Sequence, residues 1–162
     1  MLKILKITSI NAALLAITIN CYSQNTDTLI IRNNHQLHFK FISGTGTPIL
    51  FESGAGDGAS VWDSIIRPIA ELTNTTLISY DRAGFGTSTI DTLAADTCEN
   101  WILDGLMDLE FGLEALGFDK DIILVSHSYG GYISSLYASK YPDKVKSLVL
   151  IDVSHNFHLE SA

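Results

Sequence analysis

Only two cysteines occur among the 162 residues, Cys21 and Cys98. Once the N-terminal segment is removed, as expected below, Cys98 is left with no partner for an intramolecular disulfide, so cysteine content says nothing about compartment. Basic residues are scarce as well: 10 Lys and Arg stand against 18 Asp and Glu, a formal net charge of -8. No Lys/Arg cluster occurs anywhere, and a nucleic-acid partner is excluded because it needs a basic stripe. The acidity reads as solubility rather than as recognition of a cationic substrate. The glycines at Gly54, Gly56 and Gly58 are not followed by G-K-[ST], so a phosphate cradle is not indicated. Internal repeats and low-complexity tracts are absent too. What is present is a 46% hydrophobic composition, enough for one core.

The most informative stretch is Ser126-His127-Ser128-Tyr129-Gly130-Gly131. An apolar, strand-like run from Asp121 to Val125 precedes it, and a helix-like run from Tyr132 to Lys140 follows. A strand that turns at once into a helix forces the central residue of the turn into a strained backbone. Its side chain is then lifted clear of the sheet, and the amides of the new helix point at whatever binds there. With serine at the centre this is a nucleophile elbow, and Ser128 is the candidate nucleophile. The pattern wanted is G-x-S-x-G; Gly130 fits, and Ser126 replaces the first glycine with the next smallest polar residue. An ordinary N-cap serine is the competing reading, but two glycines make a poor helix start. His127 is a neighbour on a strand, so its ring is expected to point away from the Ser128 hydroxyl.

Three further motifs, in order, make the chain resemble the N-terminal half of an α/β-hydrolase from about Thr28 to Ser154. Phe51-Glu52-Ser53-Gly54-Ala55-Gly56 resembles the loop after the third strand that supplies half of the oxyanion hole. Tyr80-Asp81-Arg82-Ala83-Gly84-Phe85-Gly86-Thr87-Ser88 resembles the D-x-R-G-x-G-x-S loop, with Ala83 as a departure. Leu148 to Asp152 resembles the sixth strand. The resemblance implies an α/β fold: a mostly parallel sheet with an N-terminal antiparallel hairpin and helices on both faces. It also implies an incomplete hydrolase core over residues 24–162, with the cap and C-terminal strands missing.

Residues 1–23 are expected to be a secretory signal peptide. Lys3 and Lys6 precede a modest apolar run from Ile7 to Ile19, and Cys21 and Ser23 supply small residues at -3 and -1 of a cut before Gln24. The run is too short and too polar for a membrane span. Asn20 stands where a lipidated Cys21 would need glycine or alanine. The expectation is export, to the periplasm or outside the cell, with no stable membrane insertion afterwards.

The rest of the chain alternates as an α/β sheet requires. Thr28 to Arg32 and Leu37 to Ile42 read as a hairpin joined at Asn33-Asn34. Residues 44–48 read as a loop, Ile49 to Glu52 as a buried strand, and Ser60 or Val61 to Leu72 as a helix mildly broken by Pro68. Thr76 to Tyr80 is a strand, residues 91–98 a polar connection, and Glu99 to Leu116 a helix with Ile102, Leu106, Leu109, Leu113 and Leu116 at helical spacing. Tyr141-Pro142-Asp143 is a stop signal before the strand Val145 to Ile151. Trp62 and Trp101 read as packing residues.

A serine hydroxyl attacks only when a histidine takes its proton and a carboxylate orients that histidine. The family's arrangement implies that the backbone amides of Ala55 and Tyr129 receive the oxyanion, and it calls for no cofactor or metal. It also places the histidine after the last strand, in the order nucleophile, acid, histidine. His155 and His158 follow the sixth strand too early for that role, and His35 and His38 read as surface residues of the hairpin. Asp152 matches the spot where some haloalkane dehalogenases hold the acid; in the other arrangement the acid follows the seventh strand and Asp152 is a strand-end residue. Asp81-Arg82 reads as a structural ion pair and turn beside the oxyanion loop, or as an anion site. Tyr129 and Tyr132 either line an acyl pocket or pack. The function implied is a serine hydrolase of a small-molecule ester or peptide-like substrate, through an acyl-enzyme at Ser128, with its histidine outside this chain. An inactive fragment and a non-catalytic ligand-binding protein on the same scaffold are the alternatives.

Overall fold

A computed structural model describes residues 25–92 and 101–153. The expected signal peptide (residues 1–23), Cys98, the Trp101 side chain, His155 and His158 lie outside the described residues. A six-stranded sheet runs in the order β1-β2-β4-β3-β5-β6. Strands β1 (Asn25–Arg32) and β2 (His35–Ile42) form the antiparallel hairpin, with Arg32 facing His35 across the two-residue turn. Asn33 takes a positive φ of 51° there, a conformation asparagine tolerates better than most residues. β2 pairs antiparallel with β4 (Thr75–Asp81), and β4, β3 (Gly46–Glu52), β5 (Ile122–His127) and β6 (Val145–Ile151) are mutually parallel.

The strand β3 begins earlier than its apolar run suggests, at Gly46 rather than Ile49. It therefore carries Pro48 in a central strand, where proline removes a ladder donor. The register between β3 and β4 shifts between Gly46 and Ile49, and such an irregularity is where a strand proline is tolerated.

A 3-10 turn (Ala59–Trp62) leads into α1 (Asp63–Thr73), which runs continuously through Pro68 and stops at Asn74 in the left-handed region. Helix α2 (Trp101–Leu116) ends at Gly117, φ 76°, and α3 (Gly130–Lys140) follows the elbow. None of the described helices is long and apolar enough to cross a membrane.

Two cores lie on opposite faces of the sheet. α1 packs Ile66 and Ala70 with Trp62 against Ile42, Phe51 and Leu77. On the other face, Leu106, Leu109 and Leu113 of α2 and Ile133 and Tyr137 of α3 pack against Phe39, Leu50, Ile78 and Leu124, among others. Successive β4 residues Leu77 and Ile78 enter different cores, as strand alternation requires. Phe39 stacks on Tyr80 at 5.0 Å, and α2 settles on that pair through Gly112, where a Cβ would come within 2.2 Å of the Phe39 ring. Because β3, β4, β5 and β6 run the same way, the loops that leave their C-terminal ends share one edge, the usual place for a site in such a sheet.

Candidate active site

At that edge only Ser128 and Tyr129 separate β5 from α3. Ser128 sits at φ 48°, in the left-handed region that serine rarely adopts. Tyr129 is already helical, at φ -55° and ψ -35°, and no side chain caps the helix start there. The turn is pinned on both sides: the Ser128 amide donates to the Ile151 carbonyl at 3.1 Å, and the Gly131 amide donates to the Ser128 carbonyl at 3.0 Å. Its tightness requires the glycines. A Cβ on Gly130 would lie 2.5 Å from the Ser53 carbonyl oxygen, and one on Gly131 would lie 2.4 Å from Val153. At the position of the missing first glycine, Ser126 is wholly buried and donates to the equally buried Ser134 hydroxyl at 2.5 Å. The larger residue is accommodated because its polar atom meets a polar partner on the facing helix.

The loop after β3 faces the elbow. Trp62 Nε1 donates to Ser53 Oγ at 2.9 Å, Ser53 Oγ donates to the Gly58 carbonyl at 3.1 Å, and Gly56 holds φ 81°. Arg82 governs its orientation. The guanidinium bonds the Glu52 carboxylate at 2.5 Å and the Ser53 carbonyl at 2.6 Å, and also donates to the Gly54 carbonyl. The Gly54 carbonyl and the Ala55 amide belong to one trans peptide and point in opposite directions. Arg82, by holding the carbonyl on its own side, turns the N–H of Ala55, an exposed residue, to the other. The same guanidinium lies 5.3 Å from the Phe85 ring centroid and 5.6 Å from that of Tyr129, so one side chain touches the loops after β3, β4 and β5.

The Asp81-Arg82 reading is thereby half corrected. The role is structural, but the two residues do not pair with each other. Arg82 pairs with Glu52, and both side chains are buried. Tyr80 also donates to Glu52, at 2.6 Å. Burial pushes the Glu52 carboxyl above its usual range, while Arg82 and the Tyr80 hydrogen bond pull it back. Asp81 instead accepts from the Ala59 amide at 2.7 Å and the Thr87 amide at 2.9 Å, and it faces His38 Nδ1 at 2.9 Å. Burial works to raise its carboxyl, but the two amides and His38 together hold it below the ordinary aspartate value.

The surface reading of His35 and His38 is overturned. His35 is buried, with Nε2 3.1 Å from Asp108 Oδ1, and His38 is closed in by Asp81. Both partners come from distant parts of the chain, α2 and the end of β4. Nothing in the hairpin itself announces them. His127 lies beside the loop after β3, its Nδ1 3.0 Å from where a Gly54 Cβ would stand. Asp152 is the first residue past β6, exposed, at φ 48°, next to the Ile151 whose carbonyl receives the elbow amide.

A cleft of about 510 Å³ opens between these loops, the hairpin and α2. Ala55 and Tyr129 line it beside the elbow, and Phe85, Ile90 and Ile133 supply apolar lining. Tyr132 meets Tyr129 edge-on at 6.1 Å and is partly exposed. Glu52, Arg82, His35 and Asp108 are the site residues whose partnerships sequence reading missed. An acidic end to an apolar strand, followed by an arginine in the next loop, was the available signal for the first two.

Known proteins resemble this chain. A worm protein, the abhydrolase domain-containing protein abhd-5.2 of Caenorhabditis elegans, is 30% identical over 93% of this chain and 30% of its own length. The bovine (lyso)-N-acylphosphatidylethanolamine lipase is 35% identical over 65% of this chain and 30% of its own. The chain thus spans about a third of the length of these relatives. Among solved structures, a lipase from Acinetobacter baumannii superposes with a TM-score of 0.71 at 22% identity, over 85% of this chain and 44% of that one. The family model for the alpha/beta hydrolase fold matches residues 47–162, from β3 onward, and the chain belongs to that family.

Proposed function

We propose that Ser128 is the nucleophile of a serine hydrolase that cleaves a small ester or peptide-like amide through an acyl-enzyme. The observation that carries this reading is the φ of 48° at Ser128, held in a frame in which Gly130 admits no Cβ. Strain of this kind, of order 1–3 kcal/mol, persists where the surroundings impose it, and clusters at functional sites. In the reaction Ser128 Oγ bonds the carbonyl carbon as its proton passes to a histidine. The oxyanion is received by the amides of Tyr129 and Ala55, each worth about 3–4 kcal/mol in sites of this type. The carbonyl then re-forms, the leaving group departs with that proton, and water repeats the sequence to free the acid and Ser128.

Of the described histidines, His35 and His38 are engaged with Asp108 and Asp81, and His127 adjoins the serine. The base in this reading is a histidine outside the described residues. Asp152, exposed beside the elbow, is assigned as its acid. An Asp152→Asn variant of undiminished activity moves the acid elsewhere. Turnover of p-nitrophenyl acetate by the longest protein its gene encodes, set against Ser128→Ala, tests the whole reading. Loss of turnover supports it, and equal turnover refutes it.

We also propose export with removal of residues 1–23, supported by Lys3, Lys6 and the apolar run to Ile19. Mass spectrometry of secreted protein then finds Gln24 at the N-terminus. Exported protein that retains Met1 contradicts the proposal.

A further inference from the structure

The cleft that begins at Ala55 and Tyr129 does not end in apolar residues. On the side of the hairpin, which the sheet order sets away from β5 and the elbow, it is lined by Arg32, His35, Asp104 and Asp108, from the hairpin and from α2. Asp108 Oδ1 faces two groups at once, Arg32 Nη1 at 2.5 Å and His35 Nε2 at 3.1 Å. A guanidinium can only donate, so Oδ1 is an acceptor, and the imidazole atom that faces the same oxygen must be Nε2–H. In the neutral ring this leaves Nδ1 as a bare acceptor. The His35 side chain is 6% exposed, and its Nδ1 has no hydrogen-bond partner. A buried polar atom in that state calls for a partner, and His35 is among the residues that line the cleft. One turn before Asp108, the exposed Asp104 carboxylate has no charge partner among the described residues. The hairpin side is therefore rich in acceptors, while its one fixed cation, Arg32, is committed to Asp108.

We infer that this end of the cleft is a subsite for a hydrogen-bond donor, a hydroxyl or an ammonium group, carried by the part of the substrate remote from the scissile carbonyl. The inference rests on Ser128 marking the other end of the substrate. Strands β2, β4, β3 and β5 lie between His35 and the elbow, and three inter-strand spacings amount to about 14 Å. An extended chain advances roughly 1.2 Å per bond, so a chain of about ten to twelve bonds spans the two ends. The apolar lining of the cleft suits its methylenes. The substrate class is an amphipathic acyl compound with a donor at its distal end.

The test needs no turnover, so its failure is separate from failure of the nucleophile assignment. In full-length Ser128→Ala protein, long-range ¹H–¹⁵N spectra report the His35 ring nitrogens at neutral pH while n-decanol, decylammonium or decanoate is added. The expected result is a His35 Nδ1 signal that moves toward the protonated range with decanol or decylammonium and stays put with decanoate. Asp104→Asn separates the two donors: it abolishes the decylammonium response if the group is cationic and leaves the decanol response intact. A shared response that Asp104→Asn does not alter assigns the hydroxyl. A His35 already protonated at Nδ1, a response to decanoate alone, or no response to either donor overturns the inference.

Discussion

Ser126 and Ser134 join their hydroxyls at 2.5 Å, each wholly buried, across the contact between β5 and α3. The pair stands where a glycine-framed elbow would bring strand and helix together with no side chain between them. Ser134→Ala leaves the Ser126 hydroxyl buried without its acceptor, and is expected to lower stability by about 1–3 kcal/mol. Ser126→Gly combined with Ser134→Ala removes both partners and recovers most of that loss. Chemical denaturation of the two variants and the double variant measures the coupling. Strictly additive losses would contradict the pairing.

The arginine at the centre of the loops gives a second expectation. Arg82→Met strands Glu52 as an unpaired buried carboxylate, and removing one partner of such a pair costs about 3–5 kcal/mol. Arg82→Lys keeps the charge but loses the fork that holds Glu52 and two carbonyls together. It is expected to fold, and to lose kcat more than it raises KM, because the Ala55 amide is no longer fixed. An Arg82→Lys enzyme with unchanged kcat would show that the peptide plane is set by something else.

The elbow, the hairpin and the alternation of strands with helices were legible because their signals are local. Two asparagines between apolar runs specify the turn, and small residues on both sides of Ser128 specify the strand-to-helix reversal. Partnerships across the sheet were not legible. His35 looks like a polar residue at a hairpin tip, and only the arrival of α2 places Asp108 against it. Arg82 stands beside Asp81 in sequence, yet a residue and its neighbour leave a strand end in different directions, and Glu52 on the adjacent strand is nearer to hand. The start of β3 was hidden by Pro48, whose tolerance depends on a register shift that sequence does not display.

Asp81 sets a pH dependence. Its carboxyl is held below the ordinary aspartate value in the folded protein, so the folded state keeps it ionised where the unfolded chain takes up a proton. Its contribution to stability is present above the unfolded value of about 4 and is lost as pH falls through the lower folded value. Asp81→Asn should therefore lower Tm near neutrality, with the gap to the parent closing below about pH 4. A gap that stays constant through that range would remove Asp81 from the acid limb.

Strain at Ser128 predicts a trade. Glycine accepts φ 48° without the cost that serine bears, so Ser128→Gly is expected to melt above Ser128→Ala while both lack activity. Equal melting temperatures would mean that the turn relaxes when the side chain is cut back.

Ser128 is the proposed nucleophile. Its most direct test is to react the full-length protein with a fluorophosphonate and map the adduct by peptide mass spectrometry. One phosphonylated residue, Ser128, is expected, with no adduct in Ser128→Ala. Stoichiometric labelling at another serine, or labelling that persists in Ser128→Ala, would contradict it.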